Sequence, residues 1–506
     1  MFARPYALLL ALSLGTATRS HAQIDSSEYA ARRTALGTAI GDGVLVALGA
    51  PEPSEDYDSF FQAATFDYLT GIREPDATLV MVKHDGHIAS TLFVQPANPD
   101  QEVWSGHRMG PAGATALTGL PARPATQLRP FLDSLLAHTA TLFVVGADPT
   151  DTTPPLTTDA QFVRRLAKAH PLLHVVDATP MELRLRGTKS DAELALIRKA
   201  VAITADAERA AFHVVAPGVN EFEVQAEIEY VFRRDGADRP SFASIIGSGP
   251  NSTTLHYNAN DRFMAAGDLV VMDIGASYRG YAGDVTRTVP VSGTYTDDQR
   301  AIYQIVRDAQ AAAERQAKLN APSRLMNDSA TAVLAAGLTR LGLIESPTAT
   351  YDCGPGIDPG TSPGTGAGTT AVQQCPQYTL YYMHGLGHGI GLDVHDPDQF
   401  YYTARIGPGS AFTIEPGLYI RASLPSILAN TPKNRALLAT VGPAITRYAN
   451  IGIRIEDDYI ATPQGVEWIS RAPREAAEIE AAMRDRTPPT TARDTTKIDW
   501  YRATGH

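Results

Sequence analysis

The amino-terminal part of the chain alternates short apolar runs with segments of helical periodicity. The apolar runs are residues 44–50, 77–83 and 141–147, and the helical segments are residues 124–138 and 159–169. Strand-like runs that alternate with helices are typical of an α/β domain. We therefore predict an α/β domain over residues 23–180.

Helical periodicity resumes after residues 181–187, which we predict to be a linker. Leu194, Ile197 and Val201 recur at spacings of three and four residues and indicate a long helix. The helices expected in this half of the chain are residues 188–213, 220–234, 297–319 and 328–342. Strand-like runs follow each helix pair, so the sequence predicts a second, α+β domain over residues 188–473. The polar residues 474–506 are expected to form a tail that lies on the surface or is partly disordered.

Two acidic residues lie in β-rich runs that a hairpin turn would join. The runs are residues 268–275 and 281–290. If the turn is centred between Tyr278 and Arg279, Asp273 lies directly opposite Asp284, with their Cβ atoms about 5 Å apart. The apolar neighbours of Asp273 indicate that both sheet faces are covered, which argues against a solvent-facing acidic pair.

A segment rich in histidine and glycine, HGLGHGIGLDVHD, occupies residues 384–396. Its histidines are His384, His388 and His395. A single histidine is more often a packed core residue, but three imidazoles among alternating glycines are hard to explain by packing. The glycines let backbone or ligand approach closely.

Two further acids lie in strand-like segments nearer the carboxyl terminus. Glu415 precedes Pro416 and Gly417, which would end its strand directly after the acid. Glu456 shares a strand face with Arg454 in an alternating apolar pattern. Taken alone, Glu415 could be a turn carboxylate, and Glu456 and Arg454 a surface ion pair.

Four acids and one histidine can be explained together as one ligand set, which consists of Asp273, Asp284, His388, Glu415 and Glu456. Four clustered carboxylates repel one another unless cations neutralise them. Oxygen-rich ligands with one imidazole suit a pair of divalent metals, which can activate water. The sequence therefore predicts a dinuclear metallohydrolase.

These segments resemble the metal-ligand motifs of the pita-bread metallopeptidases, in the branch of aminopeptidase P and prolidase. The motifs are VVMDIGA, YAGDVTRT, HGLGHGIGLDVHD, TIEPG and GIRIEDDY. Residues 247–257 and 60–77 resemble the same branch. The resemblance implies an α+β pita-bread catalytic domain, with pseudo-symmetric helices over a curved antiparallel sheet, preceded by an α/β amino-terminal domain.

The resemblance also implies a role for each matched residue. The implied metal ligands are Asp273, Asp284, His388, Glu415 and Glu456. The residues implied to bind substrate around the scissile bond are His256, His384 and His395. Glu415 would also relay protons, and Arg454 would buttress the carboxylates.

The implied activity is release of the amino-terminal residue from peptides with proline in second position, through a metal-activated hydroxide. Ligand hardness favours two Mn²⁺ ions, with Co²⁺, Fe²⁺ or Zn²⁺ as alternatives. An Xaa-Pro dipeptidase, or prolidase, is the alternative enzyme, because the interval from Glu415 to Glu456 is closer to the prolidase length. Residues 60–77 and the short interval from His388 to Glu415 favour aminopeptidase P. A metal-free peptide-binding module is the remote alternative, disfavoured by the complete ligand set.

The length and charge of the chain and its amino-terminal sequence limit which binding partners and which cellular location we expect. The chain has 506 residues, 44% of them hydrophobic, which is enough for two domain cores. Its net charge of −12 and the absence of a basic stretch argue against nucleic-acid binding.

Residues 1–22 combine a basic start, a short apolar run and a small-residue cleavage site at Ala22, which predicts a signal peptide and a secreted or periplasmic protein. That apolar run is too short to span a bilayer, so no membrane insertion is expected. Proline-containing peptides are the expected partners, and homo-oligomer formation is left open.

Cys353 and Cys375 are the two cysteines of the chain, and they bracket a segment rich in Gly, Pro and Thr. In an oxidising compartment, this arrangement predicts a disulfide that closes the segment. Zinc binding is disfavoured because two thiolates without a second ligand pair make a poor site.

Overall fold

The computed structural model describes residues 24–55, 57–146, 155–354 and 373–487. The predicted signal peptide therefore lies outside the described residues. The same holds for most of the segment between the cysteines and for the end of the predicted tail.

The amino-terminal domain is a mixed sheet with helices on both faces. The helices are α1 Ser26–Ala39, α2 Ala64–Thr70, α3 Pro99–Ser105, α4 Gly110–Thr118, α5 Leu128–Leu136, α6 Thr158–Ala169 and α7 Thr179–Arg186. The strands are β1 Gly43–Leu48, β2 Thr78–His84, β3 His87–Val94, β4 Ala122–Pro124, β5 Thr141–Val145 and β6 His174–Asp177. They are ordered β4-β3-β2-β1-β5-β6, with β1 antiparallel to β2 and parallel to β5.

The central strand β1 explains why both faces are covered. Leu45 and Ala47 pack in a core that includes residues of α1 and α2. Val44 and Val46 point to the other face and pack in a core that includes residues of α5 and α6. Successive strand residues thus serve opposite layers, as a sheet with helices on both sides requires.

Most of the predicted linker, residues 181–187, is helical. Residues up to Arg186 lie in helix α7, in which Glu182 and Arg186 are buried. Arg186 pairs across the molecule with Asp393 and Asp396. The segment is therefore a packed helix, and the predicted domain boundaries stay a prediction.

The rest of the chain twice places a helix pair before a group of strands. The helices are α8 Asp191–Val214, α9 Glu221–Arg234, α10 Asp297–Gln316, α11 Arg324–Arg340, α12 Phe400–Thr403, α13 Leu424–Ile427, α14 Pro432–Arg447 and α15 Ala476–Ala482. The strands are β7 Arg239–Pro240, β8 Ile245–Ser248, β9 Leu269–Ile274, β10 Ala276–Tyr278, β11 Tyr281–Ala282, β12 Val285–Pro290, β13 Thr350–Asp352, β14 Gln374–Pro376, β15 Ala411–Ile414, β16 Gly417–Ile420, β17 Ile451–Arg454, β18 Asp457–Thr462 and β19 Gly465–Trp468. One hydrophobic core joins α8, α9, α10 and α11 to strands from both groups.

The hairpin that carries two of the acids has a different register from the one predicted. Tyr278 pairs with Tyr281, so the turn is centred between Arg279 and Gly280. Asp273 therefore pairs with Thr286 rather than with Asp284. The prediction of directly opposed acids was wrong by two residues. A shift of two keeps both acids on the same face of the hairpin.

The two cysteines form a disulfide, as predicted. It lies where β13 pairs with β14, with Tyr351 opposite Cys375. Strand β13 lies beside helix α14, because Asn434 donates a hydrogen bond to the carbonyl of Asp352. None of the helices in the described parts of the chain combines the length and hydropathy that crossing a membrane would require.

The predicted polar tail begins as part of the folded core. Helix α15 buries Ile479 and Met483, which are 0% and 1% exposed. Arg486 donates hydrogen bonds to the carbonyls of Val215 and Val291. Residues 474–487 therefore pack against the core through one face, and the remainder of the predicted tail lies outside the described residues.

A buried guanidinium joins the strands to the residues that immediately precede this tail. Arg287 is 0% exposed, and its Nη2 lies 2.7 Å from Asp457 Oδ1. It also donates hydrogen bonds to the carbonyls of Glu456, Ala472 and Pro473. One side chain thus satisfies backbone acceptors from Thr286 of β12, from the segment before β18 and from the residues just before the tail.

Replacing Arg287 by methionine should lower the free energy of unfolding by about 3 kcal/mol or more, because the carbonyls and Asp457 lose a buried cationic partner. Urea unfolding followed by circular dichroism measures the change. The matched control is Arg447→Met, because Arg447 forms an exposed ion pair with Asp298 and should cost less than about 1 kcal/mol. Equal losses of unfolding free energy in the two variants would contradict the stabilising role given to Arg287.

Candidate metal centre

All nine residues singled out by the sequence as ligands or catalytic groups line one cavity of about 590 Å³. They are His256, Asp273, Asp284, His384, His388, His395, Glu415, Arg454 and Glu456. The remaining wall is largely apolar and includes Phe242, Ala243, Ile245, Leu255 and Val394. The fold therefore brings together side chains that lie up to 200 positions apart in sequence.

The acids lie in or beside strands that converge from both strand groups. Asp273 is in β9, Asp284 precedes β12, Glu415 follows β15, and Glu456 lies between β17 and β18. The two groups meet where the Glu456 N–H donates to the Thr286 carbonyl, at 3.1 Å. Asp273 lies within regular strand pairing, whereas Asp284, Glu415 and Glu456 lie just outside it, and all four carboxylates line one cavity.

The glycines around His388 permit tight packing of its segment on β15. A Cβ on Gly387 would lie 2.2 Å from the carbonyl oxygen of Thr413, and one on Gly389 would lie 2.3 Å from that of Asp396. The backbones of His388 and Thr413 are hydrogen-bonded at 2.8 Å. Only glycine allows this approach, which brings His388 against the acids.

His388 presents a lone pair to three carboxylates. Its Nδ1 lies 3.0 Å from the Gly389 carbonyl, so Nδ1 carries the proton and Nε2 is unprotonated. Burial lowers the pKa of His388 to about 4, which keeps the ring neutral. From Nε2, the distances are 3.6 Å to Asp284 Oδ2, 3.5 Å to Glu415 Oε1 and 4.0 Å to Glu456 Oε1. The unprotonated Nε2 and the carboxylate oxygens are all electron-pair donors, so at these distances they can be bridged by a cation that lies between them.

The carboxylates themselves lack enough donors. Among the described residues, Asp273 Oδ1 and Asp284 Oδ1 are buried without a hydrogen-bond partner. Burial, reinforced by Glu456 and Asp273, raises the pKa of Asp284 well above its usual range. Burial raises the pKa of Glu456 in the same way and that of Glu415 to about 8. Such a site favours ionised acids only when cations occupy it, so the residues fit divalent metals.

Arg454 is the one permanent cation among the described residues that line the cavity. Its Nη2 contacts Asp273 Oδ2, and its Nη1 donates to the Tyr419 hydroxyl at 2.8 Å. One guanidinium cannot balance four carboxylates. It instead fixes the orientation of Asp273.

His384 is already committed to protein partners. Its Nδ1 lies 2.8 Å from the Gly385 carbonyl and its Nε2 lies 2.9 Å from the Tyr419 hydroxyl. Because Arg454 donates to the same hydroxyl, the tyrosine proton is directed at His384 Nε2. Burial lowers the pKa of His384 to about 3. A neutral ring with both nitrogens engaged can contact substrate through its carbon edge.

His256 and His395 are arranged differently. Both are exposed, and among the described residues neither imidazole makes a hydrogen bond. The His395 ring lies against His388, with centroids 4.0 Å apart. Both imidazoles can therefore donate hydrogen bonds to a bound molecule at the mouth of the cavity.

Three residues that support the site were not predicted from the sequence. The Thr286 hydroxyl donates to Glu456 Oε2 at 2.6 Å, and the Thr413 hydroxyl lies 3.4 Å from Glu415 Oε1. The third is Tyr419. A signal for the threonines was available, because each lies two residues from an acid on the same strand face.

Comparison with known proteins identifies the family. The family model for metallopeptidase family M24 matches residues 195–463, and that for the aminopeptidase P N-terminal domain matches residues 29–144. The Xaa-Pro aminopeptidase of Escherichia coli (strain K12) is 31% identical over 472 residues, which is 91% of this chain and 98% of that protein. The Xaa-Pro aminopeptidase of Haemophilus influenzae is 30% identical over 473 residues, again covering 91% and 98%.

Solved structures agree in fold. The structure of Pseudomonas aeruginosa aminopeptidase PepP superposes with a TM-score of 0.74 at 30% identity, and the match covers 91% of this chain and 98% of that one. Proline aminopeptidase P II from Yersinia pestis gives a TM-score of 0.72 at 30% identity, over 91% and 99%. The chain therefore belongs to metallopeptidase family M24, in its aminopeptidase P branch, and is a metallo-exopeptidase with the pita-bread fold.

Proposed function

We propose that this protein is an exported Xaa-Pro aminopeptidase that uses two divalent metal ions. The observation that carries the proposal is the convergence of four carboxylates and the unprotonated Nε2 of His388 on one cavity with a single guanidinium. The similar proteins named Xaa-Pro aminopeptidases support the substrate class. The hardness of the donors favours Mn²⁺.

The metal ligands in this proposal are Asp273, Asp284, His388, Glu415 and Glu456. When bound there, two divalent ions supply an activated water nucleophile and polarise the scissile carbonyl. Arg454 holds Asp273 through Oδ2 and leaves Oδ1 free for a cation. Thr286 likewise holds Glu456 through Oε2 and leaves Oε1 facing His388.

Proton movement is assigned to Glu415. Its carboxylate lies at the cavity with Oε1 near His388 and Oε2 3.8 Å from His384 Nδ1. A carboxylate in this position can accept a proton from water and deliver it to the leaving nitrogen. His384 cannot serve as the relay, because its Nδ1 proton is held by the Gly385 carbonyl.

The cavity also suits an Xaa-Pro bond. This bond is a tertiary amide without an N–H, so it offers no donor to a strand-like binding groove. The apolar wall formed by Phe242, Ile245 and Val394 can pack against a pyrrolidine ring. His256 and His395 can donate hydrogen bonds to the oxyanion that develops on the carbonyl oxygen.

Two features of the chain support export. Residues 1–22 read as a signal peptide, and the Cys353–Cys375 disulfide is of the kind that persists in oxidising compartments. In a bacterial host, fractionation and intact-mass measurement should find the chain outside the cytoplasm and starting after Ala22. The variant Leu10→Arg interrupts the apolar run and should keep the protein inside. Full-length chain in the cytoplasm in both cases would contradict export.

Two peptides separate the proposed activity from that of a dipeptidase, which the long interval between Glu415 and Glu456 keeps as the second candidate. Part of that interval folds as helices α13 and α14. With Mn²⁺ present, the enzyme should release arginine from Arg-Pro-Pro faster than it cleaves Gly-Pro, because an aminopeptidase accepts residues beyond proline. Chromatography of the products measures both rates. Exclusive cleavage of Gly-Pro would establish the dipeptidase instead.

Replacing Asp284 by asparagine, or Glu456 by glutamine, should lower turnover of Arg-Pro-Pro by more than about 100-fold, because each variant loses a metal ligand. Elemental analysis should find two Mn²⁺ ions per wild-type chain and fewer in the variants. In EDTA, the variants should unfold at a temperature no lower than wild type, because an amide relieves carboxylate repulsion. Asp298→Asn, on the surface, is the control and should keep both ions and full turnover. Wild-type turnover in Asp284→Asn would contradict the assignment.

A further inference from the structure

We propose that Glu221 is a positioning residue that holds His256 at the mouth of the metal cavity. The inference rests on the proposed function, because it assigns His256 to substrate. Glu221 begins helix α9 and is fully buried, at 0% exposed. Its carboxylate accepts hydrogen bonds from both ends of the segment 248–262, which contains His256.

The first end of the segment is held by Glu221 Oε1. The backbone N–H and the hydroxyl of Ser248 both lie 2.6 Å from this oxygen. The side-chain amide of Asn251 donates to it at 3.2 Å. These donors fix the chain where it leaves strand β8.

The second end is held by Glu221 Oε2. The backbone N–H of Arg262 donates at 3.0 Å, and the hydroxyl of Tyr257 lies at 2.9 Å. The Tyr257 hydroxyl also lies 3.0 Å from Asp261 Oδ1, so its single proton is shared within this end of the segment. Tyr257 follows His256 directly, and the bond therefore restrains the neighbouring backbone.

Strand β17 holds the opposite side of the segment. The N–H of Gly452 donates to Ser252 Oγ at 2.9 Å, and a Cβ on Gly452 would lie 1.9 Å from the Ser252 carbonyl oxygen. Nη2 of Arg454 reaches the Leu255 carbonyl at 3.3 Å. The segment thus lies between Glu221 and the strand that carries Arg454.

This arrangement places His256 through the backbone alone. Within the described residues its imidazole has no hydrogen-bond partner, whereas the residues before and after it are tied to Arg454 and Glu221. The two oxygens of a carboxylate offer about four lone pairs, so Glu221 can accept hydrogen bonds from both ends of the segment at once. A glutamine keeps one acceptor oxygen but turns an amino group toward donors at the other end. Glu221→Gln should therefore release one end of the segment and leave helix α9 in place.

The test compares Glu221→Gln with His256→Ala and with the double variant, all loaded with Mn²⁺. Glu221→Gln should lower kcat/KM for Arg-Pro-Pro by about tenfold or more, because a small displacement of a substrate-binding group is costly. Both metal ions should be retained. The double variant should be no slower than His256→Ala, because Glu221 acts through His256. Hydrogen exchange should rise in residues 248–262 of Glu221→Gln.

Glu223→Gln is the matched control, because Glu223 lies in the same helical turn and accepts the Asn220 N–H at 2.7 Å. It should retain wild-type kinetics and exchange in the segment. If Glu221→Gln does not fold, Glu221→Asp carries the same measurements, since it keeps the carboxylate and shortens its reach.

Three results would overturn the inference: unchanged kinetics in Glu221→Gln, additive losses in the double variant, or loss of metal. A wild-type enzyme that cleaves no Xaa-Pro peptide would instead defeat the proposed function. Hydrogen exchange alone would then decide whether Glu221 orders the segment.

Discussion

The concentration of buried negative charge in one cavity is the constraint on which the structure of this domain depends. Elsewhere in the described part of the chain a buried charge can be paired within the protein, as Arg287 is with Asp457. The cavity differs, because Arg454 contacts Asp273 but leaves the other carboxylates without a permanent cation. Desolvating like charges together is unfavourable, so the fold fits cations that the chain does not itself provide.

The supporting residues are placed so that each carboxylate keeps one oxygen free. Arg454 contacts Asp273 through Oδ2, and Thr286 contacts Glu456 through Oε2. Asp284 is held through its backbone N–H, which donates to Asp458 Oδ2 at 3.0 Å. Orientation and ligand capacity are therefore supplied by different atoms. This division lets the strands fix the site without using up its donor set.

Much of this could be predicted from the sequence, since the site depends on strand parity and on glycine spacing. The register of the hairpin was wrong because the turn was predicted one residue too early in the chain. Arg279 and Gly280 both have positive φ, of 49° and 80°, so they form the two-residue turn. Glycine at the second position was the available signal. The error did not affect the site, because a shift of two residues preserves the face on which Asp273 lies.

Residues 181–187 and the start of the tail both pack more closely against the rest of the protein than their polar composition indicates. Both segments are rich in charge, which the sequence pattern associates with solvent. In the structure these charges find buried partners, as Arg474 does with Asp457 at 3.0 Å. Ile479 and Met483 lie four residues apart and form one apolar helix face. A short helix with two apolar residues gives too weak a periodic signal to outweigh its polar composition.

The acids inside the cavity and the histidines at its mouth are held in place in different ways. The four acids that we assign to the metals lie in or beside strands, whereas His256 and His395 lie on segments outside the strands. His395 precedes Asp396, whose carboxylate is 3.0 Å from Lys189 Nζ and also contacts Arg186 of helix α7. The segment between the two domains thus restrains one histidine of the mouth. Residues exposed to substrate cannot be fixed by burial of their own side chains, so buried charges beside them supply the rigidity that binding requires.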